Sequence, residues 1–314
     1  MILTVTPNPA LDLTWRVERL VEGGTHRVDT GAARAGGKGL NVARVAHAEG
    51  AAVLALTTAG GRVGGEFAEE LAASGVPHVL VPVAADTRRS IALVDETLGD
   101  TTILNERGVT PADVEWAALL AEVVDRLPGA RVLVISGSVP PGTPESLLPM
   151  LIAVGRDAGV PVIVDTSGPA LLRAAEAGAT VLKPNAAELA EATGVDDPVD
   201  GARALLGRGA ELVLLSLGAE GVLAVTAADL VHARLDQPLA GNPTGAGDAA
   251  VAACAVLYTE GERDPERILR RATAWSAAAV LMPLAGDISP RWPELEQQLR
   301  ITRPDPASFR KDPS

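Results

Sequence analysis

The chain has 314 residues, enough for one large α/β domain or two smaller ones around a sizeable buried core. Its 47% hydrophobic and 21% charged residues are those of a folded protein, whereas a net charge of −13 and only 2% aromatic residues argue against a nucleic-acid surface. Cys254 is the only cysteine, so no intramolecular disulfide can form, and the most apolar window, 272–286, is too short to span a bilayer. A cytoplasmic protein without a membrane partner is the expectation.

Residues 2–6 (Ile-Leu-Thr-Val-Thr) read as a strand, with no basic leader pattern before it. Two extended segments follow, 12–18 and 26–34, joined by a Gly23-Gly24 turn. The stretch Gly36-Gly37-Lys38-Gly39-Leu40-Asn41-Val42-Ala43 then offers a glycine loop open to a ligand, a cation, and Asn41 on the first turn of a helix. It is not a P-loop, because that spacing needs glycine at Ala32 and a hydroxyl at Gly39. Beyond it, buried-strand candidates at 53–56, 79–83, 132–136, 160–165, 181–183 and 212–216 alternate with amphipathic stretches at 65–74, 111–127, 144–158, 168–177 and 199–208. That alternation predicts a mostly parallel sheet covered by helices on both faces, with ligands at the carboxyl ends of its strands. Ser136-Gly137-Ser138, Asp165-Thr166-Ser167-Gly168, Lys183-Pro184-Asn185 and Ser216-Leu217-Gly218 fall at those ends.

Segments 88–95 and 101–105 break the rhythm as a hairpin turning at Leu98-Gly99-Asp100. Together with 12–18 and 26–34 they predict a small separate sheet, a lid over the main one. A sheet this small is marginal alone, so it is expected to pair with the same element of a second subunit. The tail from Thr302, with three prolines, is expected to be mobile.

Near the C-terminus, Asn242-Pro243-Thr244-Gly245-Ala246-Gly247-Asp248 precedes an alanine-rich run that should be a helix. A helix start presents unpaired N–H groups and the positive end of the dipole, which suits a phosphoryl group. Asp248 is then placed to take the proton of a hydroxyl attacking that group. Gly245-x-Gly247-x-x-Ala250 also imitates a dinucleotide fingerprint. It lies in the last quarter of the chain and lacks the acidic strand end some twenty residues on, which weakens the dehydrogenase reading.

Taken in order, Thr6-Pro7-Asn8-Pro9-Ala10-Leu11-Asp12, the Gly36–Asn41 loop, Ser136-Gly137-Ser138-Val139-Pro140, Asp165-Thr166-Ser167-Gly168, Lys183-Pro184-Asn185-x-x-Glu188-Leu189, Ser216-Leu217-Gly218-x-x-Gly221 and Gly245–Asp248 resemble the PfkB (ribokinase-like) carbohydrate kinases over nearly the whole chain. Within that family the chain is similar to the group of 1-phosphofructokinases, tagatose-6-phosphate kinases and minor 6-phosphofructokinases. The resemblance implies a ribokinase-like, Rossmann-type three-layer α/β/α core with a β-lid. The core would take in about 1–10, 35–86 and 107–301 and the lid 11–34 and 87–106, in one domain ending at 301.

It implies ATP and Mg²⁺ as well, and a homodimer joined through the lid. Asp248 would be the catalytic base, and the amides of Gly245, Ala246 and Gly247 its anion hole. Asp12 and Asn41 would hold sugar hydroxyls, with Gly36 and Gly37 giving close approach and Lys38 and Ser138 assisting. Arg88 would hold the substrate's phosphate, and Arg27 would add a second contact that reaches a neighbouring subunit. Lys183, Asn185, Ser216, Gly218, Gly221 and Ser276 would bind ATP. Glu188 and Asp165 would serve the metal through water, although Asp165 also fits a helix N-cap. The implied reaction converts a ketohexose monophosphate to the bisphosphate, fructose 1-phosphate first, then tagatose 6-phosphate, then fructose 6-phosphate. A neutral-sugar kinase and a non-catalytic sugar-phosphate sensor are the alternatives.

Overall fold

The structure, a computed structural model, describes residues 1–305 and Phe309. Among the described residues fourteen strands fall into two sheets. The large sheet holds β1 (Ile2–Thr6), β4 (Val53–Ala59), β5 (His78–Pro82), β8 (Val132–Ser136), β9 (Val162–Asp165), β10 (Val181–Leu182), β11 (Leu212–Ser216), β12 (Val222–Val225), β13 (Leu230–Arg234) and β14 (Arg300–Thr302). Its order is β14-β13-β12-β11-β10-β9-β8-β1-β4-β5. From β5 to β11 every neighbour is parallel, and the last three strands are antiparallel. The small sheet, ordered β3-β2-β6-β7, holds β2 (Ala10–Val17), β3 (Ala32–Gly36), β6 (Arg88–Asp95) and β7 (Asp100–Asn105).

Parallel pairing requires crossovers, and helices supply them on both faces. One face is covered by α1 (Lys38–Ala48), α2 (Gly61–Ala73), α8 (Ala246–Glu260) and α9 (Pro265–Val280), which share a core with inward residues such as Ile2, Val132, Val134 and Ile163. The other is covered by α3 (Asp113–Arg126), α4 (Leu147–Asp157), α5 (Pro169–Glu176), α6 (Ala186–Thr193) and α7 (Pro198–Leu206), which pack on Leu3, Val5, Leu133 and Ile135. Alternate residues of one strand thus feed two cores, which explains the uninterrupted apolar runs. A short α10 (Trp292–Gln298) leads to β14. Among the described residues no helix is long and apolar enough to cross a membrane.

The chain leaves β1 for β4 on one side and later for β8 on the other, so the strand order reverses between β1 and β8. Such a reversal opens a crevice at the carboxyl ends. There the connector Pro7-Asn8-Pro9 carries β1 into β2, the first lid strand, in only three residues. Asn8 Nδ2 donates across the crevice to Ser138 Oγ, 3.1 Å away.

The expected strand at 26–34 shrinks to Ala32–Gly36. Only those residues have β2 as a partner, whereas 22–31 pairs with nothing and is mostly exposed. Strand β2 begins at Ala10 rather than 12. The antiparallel edge β12–β14 is absent from the sequence reading, because runs of three to five residues carry little period. Thr302 is paired with His232 and closes β14 rather than opening a tail; of the remainder, 306–308 and 310–314 lie outside the described residues.

Candidate active site

One cavity of about 1000 Å³ runs along the crevice and under the lid. Helix α8 aims its first turn into it. Gly245 is the N-cap with φ of 86°, a left-handed backbone that suits glycine, and Asp248 lies on that turn with 5% of its surface exposed. Of the three amides assigned to the anion hole, that of Ala246 donates to the Pro243 carbonyl at 3.1 Å. Those of Gly245 and Gly247 have no partner among the described residues. Two of the three amides are therefore left open at this helix start.

Asp248 is buried yet lines the cavity. Its Oδ2 accepts from Asn41 Nδ2 at 2.7 Å, which fixes the carboxylate and leaves Oδ1 toward a ligand. Burial pushes its pKa up to about 7, against the pull of Lys38, with Asp165 adding to the rise. That places a carboxylate near neutrality, where a general base is most useful.

Two lysines lie beside it. Lys38 at the start of α1 reaches Asp165 Oδ1 (3.3 Å) and Glu188 Oε1 (3.6 Å), and Lys183 reaches the same Asp165 oxygen at 3.7 Å. Asp165, more than any other group, drives the Lys38 pKa upward, so the ammonium stays charged. Gly247 leaves room for the Lys183 ammonium, since a Cβ on it would come within 2.9 Å of Lys183 Nζ. Two cations thus face an amide pair on a helix start, an arrangement suited to the β- and γ-phosphates of a nucleotide.

Asn185 and Glu188 cap α6 reciprocally: Asn185 Oδ1 accepts from the Glu188 amide at 2.8 Å and Glu188 Oε2 from the Asn185 amide at 2.9 Å. The capping role occupies one oxygen of each and fixes both side chains at the cavity wall. Asp165 does not cap α5, where Gly168 is the N-cap; it is fully buried, and its Oδ2 has no hydrogen-bond partner. Among the described residues no three or more His, Cys, Asp or Glu side chains cluster as a bare metal site. The orphaned Asp165 oxygen and the Glu188 oxygen outside the cap, which faces Lys38 at 3.6 Å, fit a hydrated Mg²⁺ held mostly through water. Ser216, Gly218, Gly221 and Ser276 line the same end of the cavity, next to Leu239 and Val280.

At the lid end stand Asp12, Gly37, Arg88 and Ser138. Burial raises the Asp12 pKa to about 6 against Arg88 and Arg34, and burial lowers that of Arg88 against Asp12. Both charges are therefore incompletely solvated, as expected of groups awaiting a polar ligand. Arg88 donates to the carbonyls of Asn8 (3.3 and 3.2 Å) and Glu106 (3.1 Å), which holds its planar head at the cavity rim.

Gly36 does not line the cavity. Its part is steric, because a Cβ there would overlap the Asp12 carboxylate. Arg27 is not brought to the cavity either; it lines a separate open depression of about 500 Å³ on the lid with Arg16, Glu18 and Arg19. Sequence reasoning missed Asn8, whose amide ties Ser138 to the Arg107 carbonyl just past β7 at 3.1 Å each. Its signal was its place between two prolines in the N-terminal motif. The apolar wall at Leu235, Pro238, Leu239 and Val280 left none, since 235–239 carries no strand or helix pattern and Val280 joins it only in the fold.

The model of the pfkB family carbohydrate kinases matches residues 7–292. A 1-phosphofructokinase of Xanthomonas campestris is 35% identical over 283 residues, which cover 87% of this chain and 89% of that protein. Escherichia coli phosphofructokinase-2, solved with fructose-6-phosphate, superposes with a TM-score of 0.84 at 30% identity, covering 94% of this chain and 98% of that one. A Thermotoga maritima protein described as a possible 1-phosphofructokinase superposes with a TM-score of 0.90 at 25% identity, covering 97% and 100%.

Proposed function

The chain belongs to the pfkB family of carbohydrate kinases, and we propose that it transfers the γ-phosphoryl group of ATP to a ketohexose monophosphate, fructose 1-phosphate above all, giving fructose 1,6-bisphosphate in the cytoplasm. The observation that carries this reading is one cavity with a phosphate-suited half and a sugar-suited half, joined at Asp248. Asp12 and Asn41 receive the sugar hydroxyls, and Arg88 takes the phosphate already present. A neutral sugar would need hydroxyl partners in that place rather than a guanidinium.

The free primary hydroxyl comes to rest beside Asp248 Oδ1. As its oxygen forms a bond to the γ-phosphorus and the bond to the ADP oxygen breaks, its proton passes to that carboxylate. The amides of Gly245 and Gly247 and the ammonium of Lys183 meet the charge that builds on the transferred group. Mg²⁺, when bound, neutralises nucleotide phosphate charge; Asp165 and Glu188 would hold it through water. The lid excludes water and so keeps the phosphoryl group from hydrolysis.

ADP release with fructose, fructose 1-phosphate, fructose 6-phosphate, tagatose 6-phosphate and ribose tests this directly. Fructose 1-phosphate is expected to give the highest kcat/KM; turnover of unphosphorylated sugars alone would overturn the Arg88 assignment. Tight sugar-phosphate binding without any consumption of ATP would instead mark a sensor.

A homodimer through the lid belongs to the same proposal. By strand register Leu13, Ile91 and Leu104 form one row and Trp15, Leu93 and Thr102 the next on a single lid face, with Leu104 55% exposed. Such an apolar face on a small sheet calls for cover. Light scattering is expected to give twice the monomer mass, and a mass of one chain would reject the lid dimer.

A further inference from the structure

We propose that Arg34 and Asp287 are positioning residues: they clamp the 283–287 segment to the base of the lid and so hold the anion hole and Asn41 in register with Asp248. The proposal rests on the phosphotransferase reading above. Arg34 stands on β3 opposite Asp12 and does not line the main cavity. Its Nη1 and Nη2 donate to Asp287 Oδ2 and Oδ1, both at 2.9 Å, and Nη1 also donates to the Ala285 carbonyl at 2.8 Å. The Arg34 side chain is 18% exposed and that of Asp287 37%, so the pair is half-sheltered and owes its hold to the forked, two-bond geometry.

The clamped segment backs directly onto the chemistry. A Cβ on Gly245 would come within 2.9 Å of both Ala285 Cα and Cβ, so the two backbones are already in contact. Gly286, at φ of 84°, fits beneath Asn41: a Cβ there would lie 3.2 Å from Asn41 Oδ1 and 3.1 Å from Arg44 Cδ. Asn41 in turn holds Asp248.

On the other side, β3 is fixed to the core. Glu70 Oε2 accepts from the Ala35 amide (2.7 Å) and from Arg44 Nη2 (2.6 Å), and Arg44 Nη2 also donates to the Ala35 carbonyl at 3.1 Å. Residues 281–291 contain no strand or helix; their flanks are tied to α9 and α10, but within 283–287 the other hydrogen bond among the described residues is Asn242 Nδ2 to Pro283 O at 3.2 Å. Arg34 thus joins a strand anchored in the core to a loop that would otherwise be loosely held. A misplacement of about 1 Å remote from the reacting atoms can cost on the order of 100-fold in rate, which is the scale on which such a brace acts.

The test compares wild type with Arg34→Met, Asp287→Asn and the exchanged pair Arg34→Asp/Asp287→Arg in the full chain, with fructose 1-phosphate and ATP. Each single variant is expected to lose roughly 10–100-fold in kcat with little change in the KM for the sugar phosphate. Their losses should not add in the double change of Arg34→Met with Asp287→Asn, and the exchanged pair should recover part of the rate.

A second readout separates positioning from mere stability. Asp248 faces Lys38, Lys183, Asp165 and Asn41, and the Asn41 hydrogen bond lowers its pKa. Loosening Asn41 should therefore move the acid limb of the kcat profile to higher pH. Variants with wild-type kcat and an unmoved acid limb would overturn the proposal, as would a change confined to KM. Asp287→Asn preserves shape, so it covers the case in which Arg34→Met fails to fold. Wild type inert toward every sugar offered would overturn the proposed function, and the brace with it; an active wild type with unaffected variants overturns the brace alone.

Discussion

Asp248→Asn is expected to lower kcat by about 10²–10⁴-fold, the range for loss of a positioned base, while sugar-phosphate and nucleotide binding persist. The variant keeps the shape of the helix start and the contact with Asn41, so the loss falls on proton transfer rather than on the fold. The wild-type profile gives an independent check. Asp248 acts only when ionised, and burial holds its pKa near 7. The rate should climb as pH rises to about 7 and level off above it. Lys38 pulls that pKa down, so Lys38→Met should move the limb to higher pH.

Stability has the opposite sign. The folded pKa of about 7 stands above the ordinary aspartate value of 3.8, so proton binding favours the folded state. That contribution is complete below 3.8 and is lost as pH rises through about 7. Above it the buried, ionised carboxylate is a burden that asparagine removes. Melting of Asp248→Asn should accordingly exceed wild type at a pH of about 8, and the gap should shrink toward a pH of about 5. A carboxylate that merely complemented the helix dipole would behave the other way, with Asn slightly less stable and turnover intact.

Arg88→Met is expected to raise the KM for fructose 1-phosphate by roughly 10–100-fold, the equivalent of a lost charge-assisted contact of about 1.5–3 kcal/mol. Arg88→Lys should recover only part of it, since an ammonium cannot present the planar fork. Because the guanidinium also donates to the Asn8 and Glu106 carbonyls, some of the loss will come from a looser rim. Initial rates with fructose separate the two causes. If the residual rate on unphosphorylated fructose falls as far as that on fructose 1-phosphate, Arg88 braces the lid and does not read the phosphate.

The parallel part of the fold was legible because each buried strand is a continuous apolar run between helices of clear 3.6 period: 132–136 and 212–216 match their strands residue for residue. The edge was not, since β12 and β13 are short and their pairing depends on neighbours rather than on local pattern. In the site, the glycines and Asp248 could be read because a helix start imposes local rules. Asn8 could not be assigned a role, since its partners Ser138 and Arg107 are 130 and 99 residues away. Nor could the bond from the Ala246 amide to the Pro243 carbonyl be read, since it depends on how the turn folds back. Nor does sequence reveal that Arg34 meets Asp287, 253 residues on.

The three-residue passage from β1 into β2 has a mechanical consequence. Two of its members are prolines, whose φ angles are fixed, and the third is buried and hydrogen-bonded on both sides of the crevice. Such a joint has almost no slack, so the end of β1 fixes where β2 and the carboxylate of Asp12 stand. Lengthening it by two glycines would let the lid wander, dulling discrimination between sugars well before the protein lost its ability to fold.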